Sequence, residues 1–266
     1  LHPMWALVLR FFIALPLAVS VLLLLKVKFP IHKVALSSYV AGSLSLIGSQ
    51  IFTYAATPYL SSGLIALMFG LAPIMAGLIG SFGFQQKLAS LQWLGMGTSI
   101  IGLAMICLSG SQKHVQPIGI VLMLMSVFAY SLSIFLVKKI NANVQPMAQA
   151  TGSILVSTIL AILLLPWIWQ HAPTHIPSTK SLLALTYTVV MASLFAMFCY
   201  FKLVQNLKAT TLSLTTVMTP MLAILIGAYL NHEQLSAQFF VGASIILLGL
   251  CLYFYKDFNT YRRLKI

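Results

Sequence analysis

Apolar residues in this chain fall in long uninterrupted blocks, not in the alternating order of a half-buried strand. Nine blocks of about 20 residues, the length of helix that crosses a bilayer, occupy positions 4–25, 35–56, 61–83, 90–109, 117–137, 146–169, 181–203, 209–230 and 236–255. Runs of this kind predict helices, because a backbone in hydrocarbon must satisfy its own polar groups. The segments between blocks are short and carry the turn formers and charges. The longest, 170–180, holds Pro173 and Pro177. The pattern predicts an all-α polytopic membrane protein with nine transmembrane helices in this chain.

The blocks are not independent. Slid by 147 positions, the stretch 71–103 falls without a gap on 218–250. Pro73 lands on Pro220, Ala76 on Ala223, Gly80 on Gly227, Leu88 on Leu235, Gly95 on Gly242, Gly102 on Gly249 and Leu103 on Leu250. Each copy reads as an apolar span interrupted by a proline, a short polar turn, and a second span with glycines seven apart. A repeat of this length predicts two similar halves, residues 1–112 and residues 113–266. The second half holds five spans and the first four, so a tenth span is expected ahead of Leu1, and the first repeat is expected to lack its first helix. Five is an odd number. The copies are therefore expected to enter the membrane from opposite sides, as the inverted repeats of many secondary transporters do.

Composition and charge sharpen the picture. Hydrophobic residues make up 60% and charged residues 6%, with a mean hydropathy of +1.01; a soluble domain carries about a quarter charged residues. The net charge of +13 comes from scattered Lys and Arg against only two acids, Glu233 and Asp257. With the C-terminus in the cytoplasm, alternation places Lys26, Lys28, Lys33, Lys87, Lys138, Lys139, Lys202, Lys208, Lys256, Arg262, Arg263 and Lys265 inside. Only Lys113 and Lys180 fall outside. Lys and Arg favour cytoplasmic loops, so the bias reads as a topology signal and not as a nucleic-acid surface. The turn Gln85-Gln86-Lys87 is then cytoplasmic, and its copy Asn231-His232-Glu233-Gln234 lies outside. The three cysteines, Cys107, Cys199 and Cys251, fall in apolar runs without metal-ligand spacing and read as packed thiols.

In the paired spans 66–103 and 213–250 the sequence resembles the drug/metabolite transporter superfamily, in particular its EamA-type members. The mid-span proline, short polar turn and glycine-spaced span can be read twice. The family's turn glutamate is Glu233 in the second copy and Gln86 in the first, and Arg10-Phe11 matches the arginine-aromatic pair of the family's second span. The resemblance implies a ten-helix transporter of small metabolites or drugs in a bacterial inner membrane, with a central cavity between two five-helix halves and a lean toward export. This chain departs from the pattern in lacking the family's first span.

Charges inside the membrane point to transport sites, and Arg10 is the one charge placed well inside a block, Lys202 standing at the cytoplasmic end of block 181–203. It either snorkels to the outer headgroups or faces a cavity to hold a substrate carboxylate. Gln50 and Tyr54, four apart, and Tyr130 and Ser133, three apart, share helix faces; with Tyr200, Thr216 and Thr219 they complete the candidate substrate-binding set. A site with aromatic walls and few charges suits an amphipathic organic solute. Pro73 and Pro220 are candidate helix bends or gates, with Thr215 beside Thr216 and Thr219 placed to satisfy carbonyls that Pro220 frees. Glu233 reads as a cap at the start of the last helix. The glycine pairs Gly95/Gly102 and Gly242/Gly249 lie on one face each and read as packing positions, for a neighbouring helix or for a homodimer. Trp5, Trp93, Trp167 and Trp169 stand near span ends, where interfacial belts form.

No nucleophile–base–acid set, metal-ligand cluster or phosphate loop occurs, so no enzyme activity and no cofactor are expected. The expected function is secondary transport of small organic metabolites, such as amino acids or drug-like compounds, by alternating access. A non-transporting scaffold or receptor-like membrane protein is the alternative. The partners are a small-molecule substrate and the lipid bilayer, with a homodimer open and nucleic acid excluded. None of the nine blocks contains Asp, Glu or His, the usual proton carriers, which points to a facilitator or exchanger unless coupling lies on the missing span.

Overall fold

Among the described residues the apolar blocks are helical, and several helices start at a residue suited to open one. The computed structural model describes residues 2–84, 88–108, 116–169, 172–173, 177–206, 222 and 237–263. In chain order these form α1 (Pro3–Leu24), then α2 (Lys33–Ser43), which runs through a π-helical turn (Leu44–Gly48) into α3 (Ser49–Ala56). There follow α4 (Ser62–Phe69), α5 (Ala72–Phe84), α6 (Ser90–Leu108), α7 (Pro117–Ile140) and α8 (Pro146–Ile168). Next, α9 (Thr179–Tyr187) runs through a second π-helical segment (Thr188–Phe195) into α10 (Ala196–Asn206), and α11 (Ala237–Arg263) ends the series. Among the described residues there is no strand.

Pro3, Pro117 and Pro146 each open a helix, where the missing N–H has no partner to lose. His32, Ser61 and Ser178 cap α2, α4 and α9 by accepting a hydrogen bond from a first-turn N–H, satisfying a donor the helix leaves orphaned. Seven of the described helical segments are long and apolar enough to cross a membrane: Pro3–Leu24, Lys33–Ala56, Ser62–Gly83, Pro117–Ile140, Pro146–Ile168, Thr179–Leu203 and Ala237–Tyr255. Ser90–Ile106 is apolar but shorter. The expected span 209–230 lies outside the described residues, as do Gln86, Glu233, Thr215, Thr216, Thr219 and Pro220. Large apolar side chains such as Leu24, Phe82 and Trp167 stand exposed along the spans, a surface that hydrocarbon covers at no cost and water does not.

The chain forms two compact units, and each draws on both halves of the sequence. The first comprises residues 1–55 and 132–207, the second residues 56–131 and 208–266. The first unit is built on α1 and α8, and these run antiparallel: Trp5 Nε1 donates to the Ile168 carbonyl at 3.0 Å, while Thr158 Oγ1 donates to the Phe11 carbonyl at 3.3 Å. Its core is Leu7, Val8, Phe11, Ala14, Ala18, Leu46, Ile47, Ile154, Ala161 and Val189. A smaller cluster gathers Leu22, Ala35, Tyr39, Val144 and Ala148.

The second unit is built on α6 and α11, also antiparallel. A Cβ added at Gly102 would stand 2.7 Å from the Gly242 carbonyl oxygen, and one at Gly95 2.5 Å from that of Gly249. The bare backbones therefore touch, which is what small residues seven apart allow. The glycine faces are thus occupied within the chain rather than offered to a dimer partner. Span 62–83 is broken, not merely bent. α4 ends at Phe69, Gly70 and Leu71 form a turn, and Pro73 is the second residue of α5, buried in its first turn. Proline is tolerated there because first-turn N–H groups have no intrahelical acceptor. Among the described residues, the prolines that do lie inside helices are Pro16 of α1 and Pro166 of α8.

Candidate functional site

Among the described residues, buried polar side chains are concentrated in the first unit. Arg10, Ser38, Ser43, Ser45, Ser49, Thr53, Ser133, Gln149, Thr151, Ser153, Ser157, Thr158 and Ser193 are all buried there, against Ser99, Ser126 and Ser131 in the second. The cause is legible locally: α2 and its π-helical turn are serine-rich, and the first half of α8 reads Gln-Ala-Thr-Gly-Ser. A helix that is apolar on the average can still carry a polar seam when a neighbouring helix covers it.

Arg10 sits on α1 at 5% exposure. Its guanidinium is held inside protein. Nε donates to Ser193 Oγ at 2.6 Å, and Ser193 Oγ in turn donates to the Thr188 carbonyl at 3.1 Å, both residues belonging to the second π-helical segment. The Phe11 ring lies 5.7 Å from the guanidinium carbon. A guanidinium has five N–H donors, and Ser193 takes the one at Nε. The side chains of Glu233 and Asp257, the chain's two carboxylates, lie outside the described residues.

A second polar group centres on Gln149, 1% exposed. Its Oε1 accepts from Ser38 Oγ at 2.7 Å, and its Nε2 donates to the Ser38 carbonyl at 2.8 Å and to Ser153 Oγ at 3.2 Å. The amide is fully engaged and locks α8 to α2. Two residues along, Thr151 Oγ1 is buried with no hydrogen-bond partner among the described residues. Next to the Gln149 group a cavity of about 520 Å³ opens at the corner where α7 ends and α8 begins, walled also by Ser38 of α2 and Gln205 of α10.

The other expected site residues are dispersed. Gln50 and Tyr54 are half-buried on α3, Tyr54 packed on the first unit's core. Tyr200 is half-buried on α10 with its ring 5.1 Å from that of Phe201. Tyr130 and Ser133, three apart on α7, contact different neighbours. Tyr130 belongs to the second unit, edge-on to Phe69 at 6.1 Å, whereas Ser133 belongs to the first and donates to the Ala41 carbonyl at 2.7 Å, just ahead of the π-helical turn. Ser131 donates to the Ala72 carbonyl at 3.1 Å, beside the break at Pro73. Ser131 and Ser133 of α7 therefore each donate to a backbone carbonyl close to an irregular stretch, where extra donors are needed. Sequence reasoning passed over Ser193, Ser38, Gln149 and Thr151; their signal was the density of small polar residues in two blocks.

Comparison with known proteins decides the class. The model of the EamA-like transporter family matches residues 1–108 and 117–255. The chain belongs to that family. It is 26% identical over 244 residues to the uncharacterized inner membrane transporter YedA of Escherichia coli (strain K12), covering 91% of this chain and 78% of YedA. It is also 22% identical over 262 residues to the uncharacterized transporter YoaV of Bacillus subtilis (strain 168), covering 96% of this chain and 87% of YoaV. A protein crystal structure superposes with a TM-score of 0.68 over 95% of this chain and 89% of its own at 17% identity, a likeness of fold alone. As a member of the EamA-like transporter family, the protein is an integral membrane transporter, and its exposed apolar spans have the lipid bilayer as their solvent.

Proposed function

We propose that this transporter sits in the inner membrane and moves small organic metabolites bearing a carboxylate, amino acids or drug-like compounds among them. Transport proceeds by alternating access of two inverted repeats, in the direction of export or exchange. The observation that carries the substrate class is Arg10. A cation buried in a membrane-spanning helix is costly and is retained for a site or a pathway. A neutral hydroxyl holds Nε and orients the plane, leaving the terminal Nη pair, the fork that matches a carboxylate.

The inverted repeat is supported by the order of elements. Shifted by 147 positions, α1 falls on α8, α2 on α9, the first π-helical turn on the end of the second π-helical segment, α3 on α10 and α6 on α11. The two pairs packed directly on each other, α1 with α8 and α6 with α11, run antiparallel, as copies of opposite orientation must.

Uptake by proteoliposomes carrying the full chain tests the substrate class. Wild type is expected to exchange labelled amino acids. Arg10→Ala is expected to lower the transport efficiency for carboxylate substrates about 100-fold, and Arg10→Lys about ten-fold, since lysine keeps the charge but not the fork. Equal efficiency in all three would remove Arg10 from the site, and no flux of any solute in folded wild type would favour a scaffold or receptor.

A further inference from the structure

We propose that the cavity at the α7–α8 corner is a second ligand site, one that takes an anionic oxygen group, a carboxylate or a phosphate, against Lys138. It stands apart from the reading of Arg10 and does not depend on it. The cavity's volume of about 520 Å³ lies within the range of small-molecule pockets, roughly 300–1,000 Å³. Its lining is not that of a crevice between apolar helices. Among the described residues that line it, Lys138 is the one charged side chain and five are carboxamides. With the Gln149 amide engaged on Ser38 and Ser153 and Gln205 Nε2 on the Val144 carbonyl, the wall offers an oxyanion one full charge and the amides of Asn141, Asn143 and Gln145.

The site is built into the fold. Its floor is Gln149 and Ser38, both buried and fixed to each other. Its rim is Asn141 and Asn143, which hold left-handed backbone at φ 45° and 50°. Non-glycine residues persist in that region only where the surroundings over-determine them. Here the residue between them, Ala142, and the one after, Val144, pack on the cluster around Tyr39. Gln205 Nε2, reaching from α10, donates to the Val144 carbonyl at 2.6 Å. A corner held from two sides keeps its polar groups in place before a ligand arrives, which lowers the ordering cost of binding. The ligand's anionic group could come from a soluble metabolite or from the headgroup of an acidic phospholipid.

Thermal unfolding of the purified full chain separates these sources. In one arm, the protein in neutral detergent is titrated with inorganic phosphate or succinate against chloride at equal ionic strength. In the other, it is placed in phosphatidylcholine nanodiscs with and without phosphatidylglycerol. A saturable rise in Tm with the soluble anions, or with phosphatidylglycerol alone, supports the site and names its source. Lys138→Gln is expected to raise the half-maximal concentration about ten-fold, Lys138→Arg to preserve it, and Arg10→Ala to leave it unchanged. Should Lys138→Gln fold poorly, Asn143→Asp sets a carboxylate on the exposed rim and is expected to weaken binding to the same degree. No saturable rise over chloride in either arm, or a rise untouched by Lys138→Gln and Asn143→Asp, would overturn the proposal; a rise lost in Arg10→Ala would assign the anion to Arg10 instead.

Discussion

Ser99 donates its hydroxyl to the carbonyl of Ile246 at 3.2 Å, and the two residues are 147 positions apart, the offset of the sequence repeat. Contact between a residue and its own counterpart is what a two-fold relation between copies requires, as in an isologous contact between subunits, and it supports the proposed inverted repeat. The first unit has the same feature, for Thr158 donates to the carbonyl of Phe11, again 147 positions away. Around Ser99 the relationship is reciprocal: Gly102 backs onto Gly242, the counterpart of Gly95, and Gly95 backs onto Gly249, the counterpart of Gly102.

The glycine seam predicts opposite outcomes for two neighbouring substitutions. At Gly102 a new Cβ would stand 2.7 Å from the Gly242 carbonyl and 2.9 Å from the Ile246 nitrogen, both backbone atoms that cannot step aside. Gly102→Ala is expected to destabilise by about 1–3 kcal/mol, the usual cost of overpacking. At exposed Gly97 nothing lies within 4 Å. There Gly97→Ala is expected to be neutral or to stabilise by up to about 1 kcal/mol through helix propensity. Thermal unfolding in one detergent measures both, and equal effects would mean that α6 and α11 do not meet through their glycines.

Ser193 holds Arg10 by one short bond and is itself held in a π-helical segment. Ser193→Ala leaves the Arg10 Nε–H without its acceptor. Hydrogen bonds to charged groups contribute about 1.5–3 kcal/mol, and a loss of that size is expected in chemical or thermal unfolding. Retained stability would mean that water or lipid replaces the serine freely, and that the guanidinium is not enclosed.

Thr151 predicts a gain. Its hydroxyl is buried without a partner among the described residues, and such a group costs about 1–3 kcal/mol. Thr151→Val has nearly the same shape and no hydroxyl, so Tm is expected to rise. A fall would reveal a partner for that oxygen, a water or a bound solute.

Coupling can be read from the composition of the spans. With no Asp, Glu or His in any of the nine apolar blocks, collapse of a pH gradient by an ionophore is expected to leave solute exchange in proteoliposomes unchanged. Strong dependence on the gradient would sink the facilitator or exchanger reading and send the search to groups at the span ends.

Much of the fold was legible because the bilayer imposes it. The expected starts at 4, 117, 146 and 236 fall within one residue of Pro3, Pro117, Pro146 and Ala237, where the helices begin. A proline or a capping side chain acts through its immediate neighbours, and those can be read in order. The broken span at Pro73 was half legible: the proline marked the place, but the turn at Gly70 and Leu71 depends on what α7 offers, namely the Ser131 hydroxyl at Ala72. The pairing of Tyr130 with Ser133 on one face was drawn from helix periodicity alone. The neighbours of the two side chains, the Phe69 ring for Tyr130 and the Ala41 carbonyl for Ser133, are not given by periodicity.

The sequence by itself determined the number and length of the apolar blocks, the 147-residue repeat and the presence of one charge, Arg10, away from their ends. These are properties of local hydropathy and self-similarity and need no partner. Only the tertiary structure decided that Arg10 is enclosed on Ser193, that Gln149 ties α8 to α2, and that the glycine faces are spent inside the chain. Each of those depends on which helix covers which face. Hydropathy does not encode that choice, because lipid and a neighbouring apolar helix cover a face equally well.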